Sequence, residues 1–434
     1  MRLVFTIIFF LLSVSCTVFA SDIIPVRNIG LSEGLSNNSA TSIIQDKFGY
    51  IWIGTFDGLN RYDGFEFKGF RNKWQDSTSL INNHIVSLSG SDKGVWVGTL
   101  KGVSFFDYGN QKFQFFNYQP YNKKKIQKLE ARSSEILVIR DTVYLCTDDK
   151  GFLVLKPTSK LFTQIPLDRG LSDYNVQGIC EYNGTIYLFI KNVGLCLFDK
   201  QKQRIRLLSN AITEGGKLLP APAQGVVFIG SQNGLFQYNL RYEKMEKSLF
   251  NNSLRVRNIT GLLLSKEEQL WIATDGGGVA IFNLKDSQVN YIVEGNAANQ
   301  LKSGAVYAIF EDKNYRKWIA TLRGGVSLVD SQKPLFVSVR KDPFASKSLV
   351  SNFVLSFCED KTGDIWIGTD GGGLSKWNPV QNSFSSFVHE AQNRTSLGSN
   401  FVVSLLIDHK NRLWVATFGG GIQLMDRATF RSRR

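Results

Sequence analysis

Apolar and polar residues alternate along this chain in short runs separated by turn residues. Thr41–Gln45 alternates and is followed by the polar turn Asp46-Lys47-Phe48-Gly49. Ile51–Thr55 is an apolar, aromatic-bearing run, Asp57-Gly58 leads into Leu59–Tyr62, and Asp63-Gly64 leads into Glu66–Phe70. Period-two runs bounded by Asp-Gly turns predict four antiparallel strands joined by hairpins, here lettered a to d in chain order. The b run recurs as Ile51-Trp52-Ile53-Gly54-Thr55, Val95-Trp96-Val97-Gly98-Thr99, Leu270-Trp271-Ile272-Ala273-Thr274, Lys317-Trp318-Ile319-Ala320-Thr321, Ile365-Trp366-Ile367-Gly368-Thr369 and Leu413-Trp414-Val415-Ala416-Thr417. Weaker copies centre on Tyr144, Tyr187 and Phe228, so the nine anchors lie 41 to 48 residues apart.

Nine four-stranded units of this period predict an all-β fold, a β-propeller of four-stranded antiparallel blades. One blade cannot bury both faces, so blades stack, with the b-strand Trp, Tyr or Phe between neighbours. The small Gly or Ala two residues later permits close approach. Repeat eight resembles repeat one and repeat nine resembles repeat two, since Asn352 and Asn400 follow Asn38 and Asn83 by 314 and 317 residues. The expected organisation is therefore a seven-bladed ring over residues 21–333, then the first two blades of a second, incomplete ring over 334–434. Ile24–Ile29 is the natural outer strand for repeat seven, whose strand c ends near Asp330, and Leu335–Arg340 would serve the second ring in the same way.

The first twenty residues break the pattern. Arg2, the apolar run Leu3–Val14 and Val18-Phe19-Ala20 form an export signal with cleavage expected after Ala20. A lipoprotein signal ending at Cys16 and an uncleaved anchor are the competing readings. Export places the mature chain in the periplasm or another extracytoplasmic space, and no later stretch is apolar enough to span a membrane. The formal charge is +14, from 51 Lys and Arg against 37 Asp and Glu. The cations are scattered, so they fit a solvated surface, and export argues against nucleic acid as partner. Three His and no CxxC pair leave no metal or cofactor expected. Cys146, Cys180, Cys196 and Cys358 lie in apolar strand runs and read as buried thiols, with a Cys180–Cys196 bridge conceivable across neighbouring strands.

The glycine triplets Gly276–Gly278 and Gly371–Gly373 sit between strands b and c, with no helix or GK[ST] following, and read as turns rather than phosphate cradles. Four repeats carry Asn four residues before Ser: Asn38/Ser42, Asn83/Ser87, Asn352/Ser356 and Asn400/Ser404. They serve either turn and strand-end hydrogen bonding or a ring of polar donors around the channel mouth. The candidate ligand residues on long loops and strand ends are Trp74, Asn83, His84, Tyr307 and Arg323, with Trp74 foremost because an aromatic on a polar loop can stack on a sugar. His389-Glu390 lacks the following Pro of a phosphoacceptor helix, and no carboxylate pair stands out as a hydrolase centre.

The run Gly34-Leu35-Ser36-Asn37-Asn38, with Asp46 through Gly64, resembles the two-component regulator propeller repeat. The resemblance is specific in repeats one, two and six to nine and poor in three to five. It implies the extracytoplasmic sensor region of a hybrid two-component histidine kinase, with an oligosaccharide or other small periplasmic ligand and possible homodimerisation. Such proteins continue into a β-sandwich, a membrane helix and a kinase or cyclase; here those parts are missing, so a truncated, non-enzymatic sensor is expected. A scaffold for a partner protein is the alternative, and a propeller glycosidase or lyase a further one.

Overall fold

The computed structural model describes residues 26–121, 123–168, 174–286, 288–297, 299–330, 339–341, 348–426, 429 and 431–433. The export signal, residues 24–25 of the proposed closing strand, and 335–338 of its second-ring counterpart lie outside these. Among the described residues there are nine sheets, eight of them wholly antiparallel, and no α-helix; three short 3-10 turns are the only helical segments. No helix is long and apolar enough to cross a membrane.

Repeat one shows how each unit forms. Its strands are Ala40–Gln45, Ile51–Thr55, Gly58–Tyr62 and Phe67–Phe70, paired in sequence order. The Asp opening the a–b turn anchors the Trp six residues on. Asp46 accepts the backbone N–H of Phe48 at 2.9 Å and of Tyr50 at 3.0 Å, and its other oxygen accepts Trp52 Nε1 at 2.7 Å. The same clamp joins Asp312 to Trp318, Asp360 to Trp366 and Asp408 to Trp414, at 2.9–3.0 Å. One carboxylate thus closes the turn and satisfies an indole N–H that burial would otherwise leave unpaired. At the far end of strand b, Thr55 Oγ1 donates to the carbonyl of Gly58 at 2.8 Å and accepts the N–H of Asp57, tying the b–c turn. The small residue after Trp has a steric cause: a Cβ on Gly54 would stand 2.6 Å from Ser42 Oγ and 2.5 Å from Ile85 Cγ2 of the next repeat.

Each Trp is covered by the following repeat. Trp52 packs with Val95, Val97 and Phe106, Trp96 with Leu145 and Leu153, and Trp366 with Leu413 and Val415. Trp52, Trp96, Trp271, Trp318 and Trp366 are all buried. Trp414 departs from expectation and is half-buried, because among the described residues no sheet follows it to cover that face.

The chain divides into two compact bodies, residues 1–332 and 333–434. In the first body the a strands of repeats one to seven pack side by side in order, and that of repeat seven, Val306–Glu311, packs beside that of repeat one. Val26–Ile29 pairs antiparallel with Gly325–Val329, with Val26 opposite Val329 and Ile29 opposite Val326, as the outer strand of repeat seven's sheet. Gly325 has φ 76°, and a Cβ there would stand 2.2 Å from the Ile29 carbonyl oxygen, so glycine is required where this strand meets the b–c turn. The second body holds the sheets of repeats eight and nine.

Two details differ from the sequence reading. Repeat three is six-stranded: Asn117–Gln119 and Gln127–Lys128 extend its outer edge, Asn117–Gln119 running parallel to Leu161–Ile165. Cys180 and Cys196 are free. They lie on strands a and c of repeat four, opposite Tyr187 and Leu188 of the strand between them. Two inter-strand spacings, about 9.6 Å, exceed the reach of a disulfide. Cys146, Cys180 and Cys196 are buried and Cys358 half-buried.

Candidate functional site

Every a strand but that of repeat five in the first body carries a β-bulge after its first residue, as do those of repeats eight and nine. The extra residues are Thr41, Val86, Ser134, Gln177, Thr260 and Tyr307. A bulge re-aims one side chain out of the pleat. All six line a cavity of about 500 Å³ at the end of the a strands where the d–a and b–c connections gather. Repeat five has a regular a strand and contributes Lys217 from its first position, together with Glu214 and Gln232. All seven repeats of the first body therefore reach this one cavity.

Its wall has two chemically different arcs. Repeats seven, one and two, which are neighbours, supply Tyr307, Phe56 and His84. The Phe56 and His84 rings stack at 4.2 Å between centroids with 25° between planes, and Tyr307 meets Phe56 edge-on at 6.3 Å. Burial, then the nearby Arg132 charge, lower the His84 pKa, so the imidazole is neutral at neutral pH and the arc carries no charge. Repeats three, four and five supply Arg132, Lys191 and Lys217. Arg132 pairs with Asp148 at 3.1 Å. Among the described residues neither the Lys191 nor the Lys217 ammonium has an ion pair, and the Lys217 charge is felt by Glu135. Glu214 is the one carboxylate among the lining residues.

Glu135 lies next to the repeat-three bulge, where repeats one, two, four, six and seven have Ser42, Ser87, Gly178, Gly261 and Ala308. It faces Cys146, which stands in the place of Gly54. Its Oε2 is enclosed without a hydrogen-bond partner. Burial raises its pKa, while the Lys217 charge and the Ile179 N–H draw it back down.

Of the residues singled out from sequence, the structure brings His84 and Tyr307 together in the cavity. Trp74 is 87% exposed on the loop after strand d of repeat one, away from the cavity lining. Arg323 is exposed in the b–c turn of repeat seven at φ 63°, its N–H on Ser39 Oγ, and does not line the cavity. Asn83 is absorbed by its own loop: Oδ1 accepts the Asn72 N–H at 2.6 Å, Nδ2 donates to Asp57 at 3.1 Å, and its carbonyl accepts from Gly58 at 2.8 Å. Asn38, Asn352 and Asn400 likewise accept loop N–H groups of Leu31, Lys341 and His389. The four Asn thus serve loop bonding, and Ser87 donates to the Ser133 carbonyl, whereas Ser42 Oγ and Ser356 Oγ are enclosed without a hydrogen-bond partner. The His389 ring is held at the Leu397 carbonyl, 2.6 Å away, within such a loop.

The sequence reading missed Phe56, Arg132, Lys191 and Lys217. For Phe56 and Lys191 a signal was available, because the residue after each strand b is variable. Phe56, Lys191 and Gln232 occupy that column, against Leu100, Asp148, Asp275 and Leu322 elsewhere.

The first body thus gathers an aromatic arc and a cationic arc around one cavity. The two component regulator propeller model matches residues 34–57, 348–371 and 396–419. Three of the nine repeats, one, eight and nine, thus carry a match to that family's repeat. Histidine kinase P4 of Formosa agariphila is 54% identical over 48 residues, which are 11% of this chain and 4% of that protein. Two crystal structures from B. thetaiotaomicron, each of the extracellular domain of a hybrid two component system, share the fold. One has a TM-score of 0.63 and 24% identity, covering 95% of this chain and 54% of that one. The other has a TM-score of 0.59 and 22% identity, covering 94% and 53%. The chain thus spans about half the length of these solved structures.

Proposed function

We propose that this chain is an extracytoplasmic ligand-sensing region of a hybrid two-component signalling protein, and that its ligand is an oligosaccharide bound in the central cavity. Repeats one to seven form a closed ring of seven blades, and repeats eight and nine begin a second propeller. The observation that carries the reading is the cavity itself, into which six bulges aim side chains and where Phe56, His84 and Tyr307 offer a stacking wall. Aromatic faces take the apolar side of a sugar ring while polar groups fix its hydroxyls. A cavity reached by seven repeats can pass binding energy to all of them, which a sensor needs in order to favour one arrangement over another. The similar proteins, a histidine kinase and the extracellular domains of hybrid two component systems, support the signalling context. The single lining carboxylate favours binding over glycoside hydrolysis, which needs two.

Calorimetric titration with a panel of glycan fragments, alongside pull-down from periplasm, tests this. The expected result is saturable binding of a saccharide that Phe56→Ala weakens without changing the melting temperature. Binding of a partner protein with no saccharide response would replace the reading with the scaffold alternative.

A further inference from the structure

Resting on that reading, we infer that the cavity selects an acidic saccharide, one whose ring bears a carboxylate or sulfate. The two arcs face each other across the ring of a strands. Phe56, His84 and Tyr307 form an uncharged wall on repeats seven, one and two, while Arg132, Lys191 and Lys217 stand on repeats three, four and five. A sugar ring lying against Phe56 and Tyr307 turns its far edge towards the three cations. A neutral sugar would leave the Lys191 ammonium without an anionic partner and Lys217 with only the enclosed Glu135 nearby, whereas a carboxylate or sulfate accepts charge-assisted hydrogen bonds from both. Asp148 already holds Arg132 and also accepts the Ser134 hydroxyl, so Arg132 is fixed in orientation beside the cavity. Glu214 is the one carboxylate in the lining, and with Arg132 paired to Asp148 it stands against Lys191 and Lys217.

The uneven distribution of charge is itself informative. Scattered surface cations account for the +14 of the chain without any site. The cavity, however, gathers its cations on three adjacent repeats and its aromatics on the other side, and a solvated surface has no reason to sort them. Lys191 occupies the column after strand b, and Lys217 opens the one a strand in the first body that lacks a bulge.

The test titrates the full chain, at about 0.15 M salt, with trigalacturonate as the carboxylate probe, a sulfated chondroitin disaccharide as the sulfate probe, and xylotriose as the neutral probe. One acidic probe should bind at least about tenfold more tightly than xylotriose. Lys191→Met and Lys217→Met should each weaken it about tenfold with an unchanged melting temperature, and Lys124→Met, an exposed lysine outside the cavity, should leave it unchanged. Which acidic probe responds identifies the anionic group. Tight xylotriose binding lost in Phe56→Ala would overturn the acidic selectivity while leaving the saccharide reading intact. Acidic binding that Lys191→Met and Lys217→Met do not alter would mark adsorption to the basic surface and overturn the inference. Failure of all three probes would overturn it too, and the wider glycan panel then decides whether the saccharide reading survives.

Discussion

Repeats one and four fold to the same four-stranded sheet by different means. In repeat one, Asp46 closes the a–b turn and holds the Trp52 indole, and Thr55 ties the b–c turn. Repeat four has Tyr187 and Ile190 in the places of Trp52 and Thr55, and no aspartate in its a–b turn, which is formed by Asn183 and Gly184. Its cohesion comes from apolar burial: Ile186, Leu188, Ile190, Cys196 and Phe198 pack into one cluster with repeat three. The difference teaches where function resides. Identical repeats would make a ring with the same side chain at every position, and so a channel with no direction. Repeats one and seven keep the clamp and supply Phe56 and Tyr307 of the uncharged wall. Repeats three to five lack both the clamp and the b-strand Trp and supply Arg132, Lys191, Lys217 and the enclosed Glu135; repeats two and six keep the Trp with Ser91 and Ser265 in place of the Asp.

The sharpest way to break that comparison is to remove its scaffold. Trp52→Ala should cost about 3–5 kcal/mol in denaturant unfolding, the range for a buried large aromatic. Trp414→Ala, half-buried, should cost clearly less. Equal losses at the two sites would show that cover by the next repeat is not what gives the Trp its weight.

Asp46→Ala should destabilise by about 1–3 kcal/mol, since it strands a buried indole N–H and opens the turn. Saccharide affinity in the surviving folded protein should be unchanged. A loss of affinity at full stability would place the clamp in the site and merge the two classes of repeat.

Acid should separate the classes in a third way. Burial alone would raise the Asp360 carboxyl, but hydrogen bonds from Thr362, Trp366 and backbone N–H groups outweigh it and hold the pKa at about 2, against 3.8 for a free aspartate. Asp408 is also lowered, chiefly by the Trp414 indole. A depressed folded pKa means that the unfolded chain binds the proton more readily. The stabilisation is therefore complete above about pH 4 and is lost as pH falls towards 2. Melting temperature followed over that window should decline, and Asp360→Asn should flatten the part of the decline that belongs to repeat eight. A wild-type profile level down to pH 2 would remove the clamp's electrostatic role.

The smallest effect is expected at Trp74. At 87% exposure, Trp74→Ala should change stability by less than about 0.5 kcal/mol and leave saccharide affinity unaltered. Weakened binding in this variant would move the site from the cavity to the loop.

The architecture was legible because burial repeats itself. Trp at a fixed place in strand b, a small residue after it and Asp-Gly turns recur, and each has a local physical cause. The outer hairpin of repeat three was not legible, because Asn117–Gln119 and Gln127–Lys128 are short, polar and without alternation. The site was half legible. His84 and Tyr307 stood at strand ends that the pattern could locate. Trp74 drew attention through its chemistry, which says nothing of where its loop points. Lys191 and Lys217 read as ordinary surface charge until bulges and strand order set them opposite Phe56. A bulge is invisible to a period-two count, since it inserts one residue and shifts the phase without changing the composition.

The seam between Val26–Ile29 and Gly325–Val329 has a mechanical consequence. Val26 and Val329 lie directly opposite, so the chain leaves the pair at the same end on both sides. Tension applied through residue 26 and residue 330 loads the hydrogen bonds one after another rather than all together, the geometry of a zipper under peel. Peeling needs far less force than shearing the same four-residue ladder. Under load, the first body would open at this latch while the sheets of repeats one to six, each continuous in sequence, stayed whole. A single-molecule pulling trace should show an early low-force extension of a few residues ahead of the larger unfolding steps.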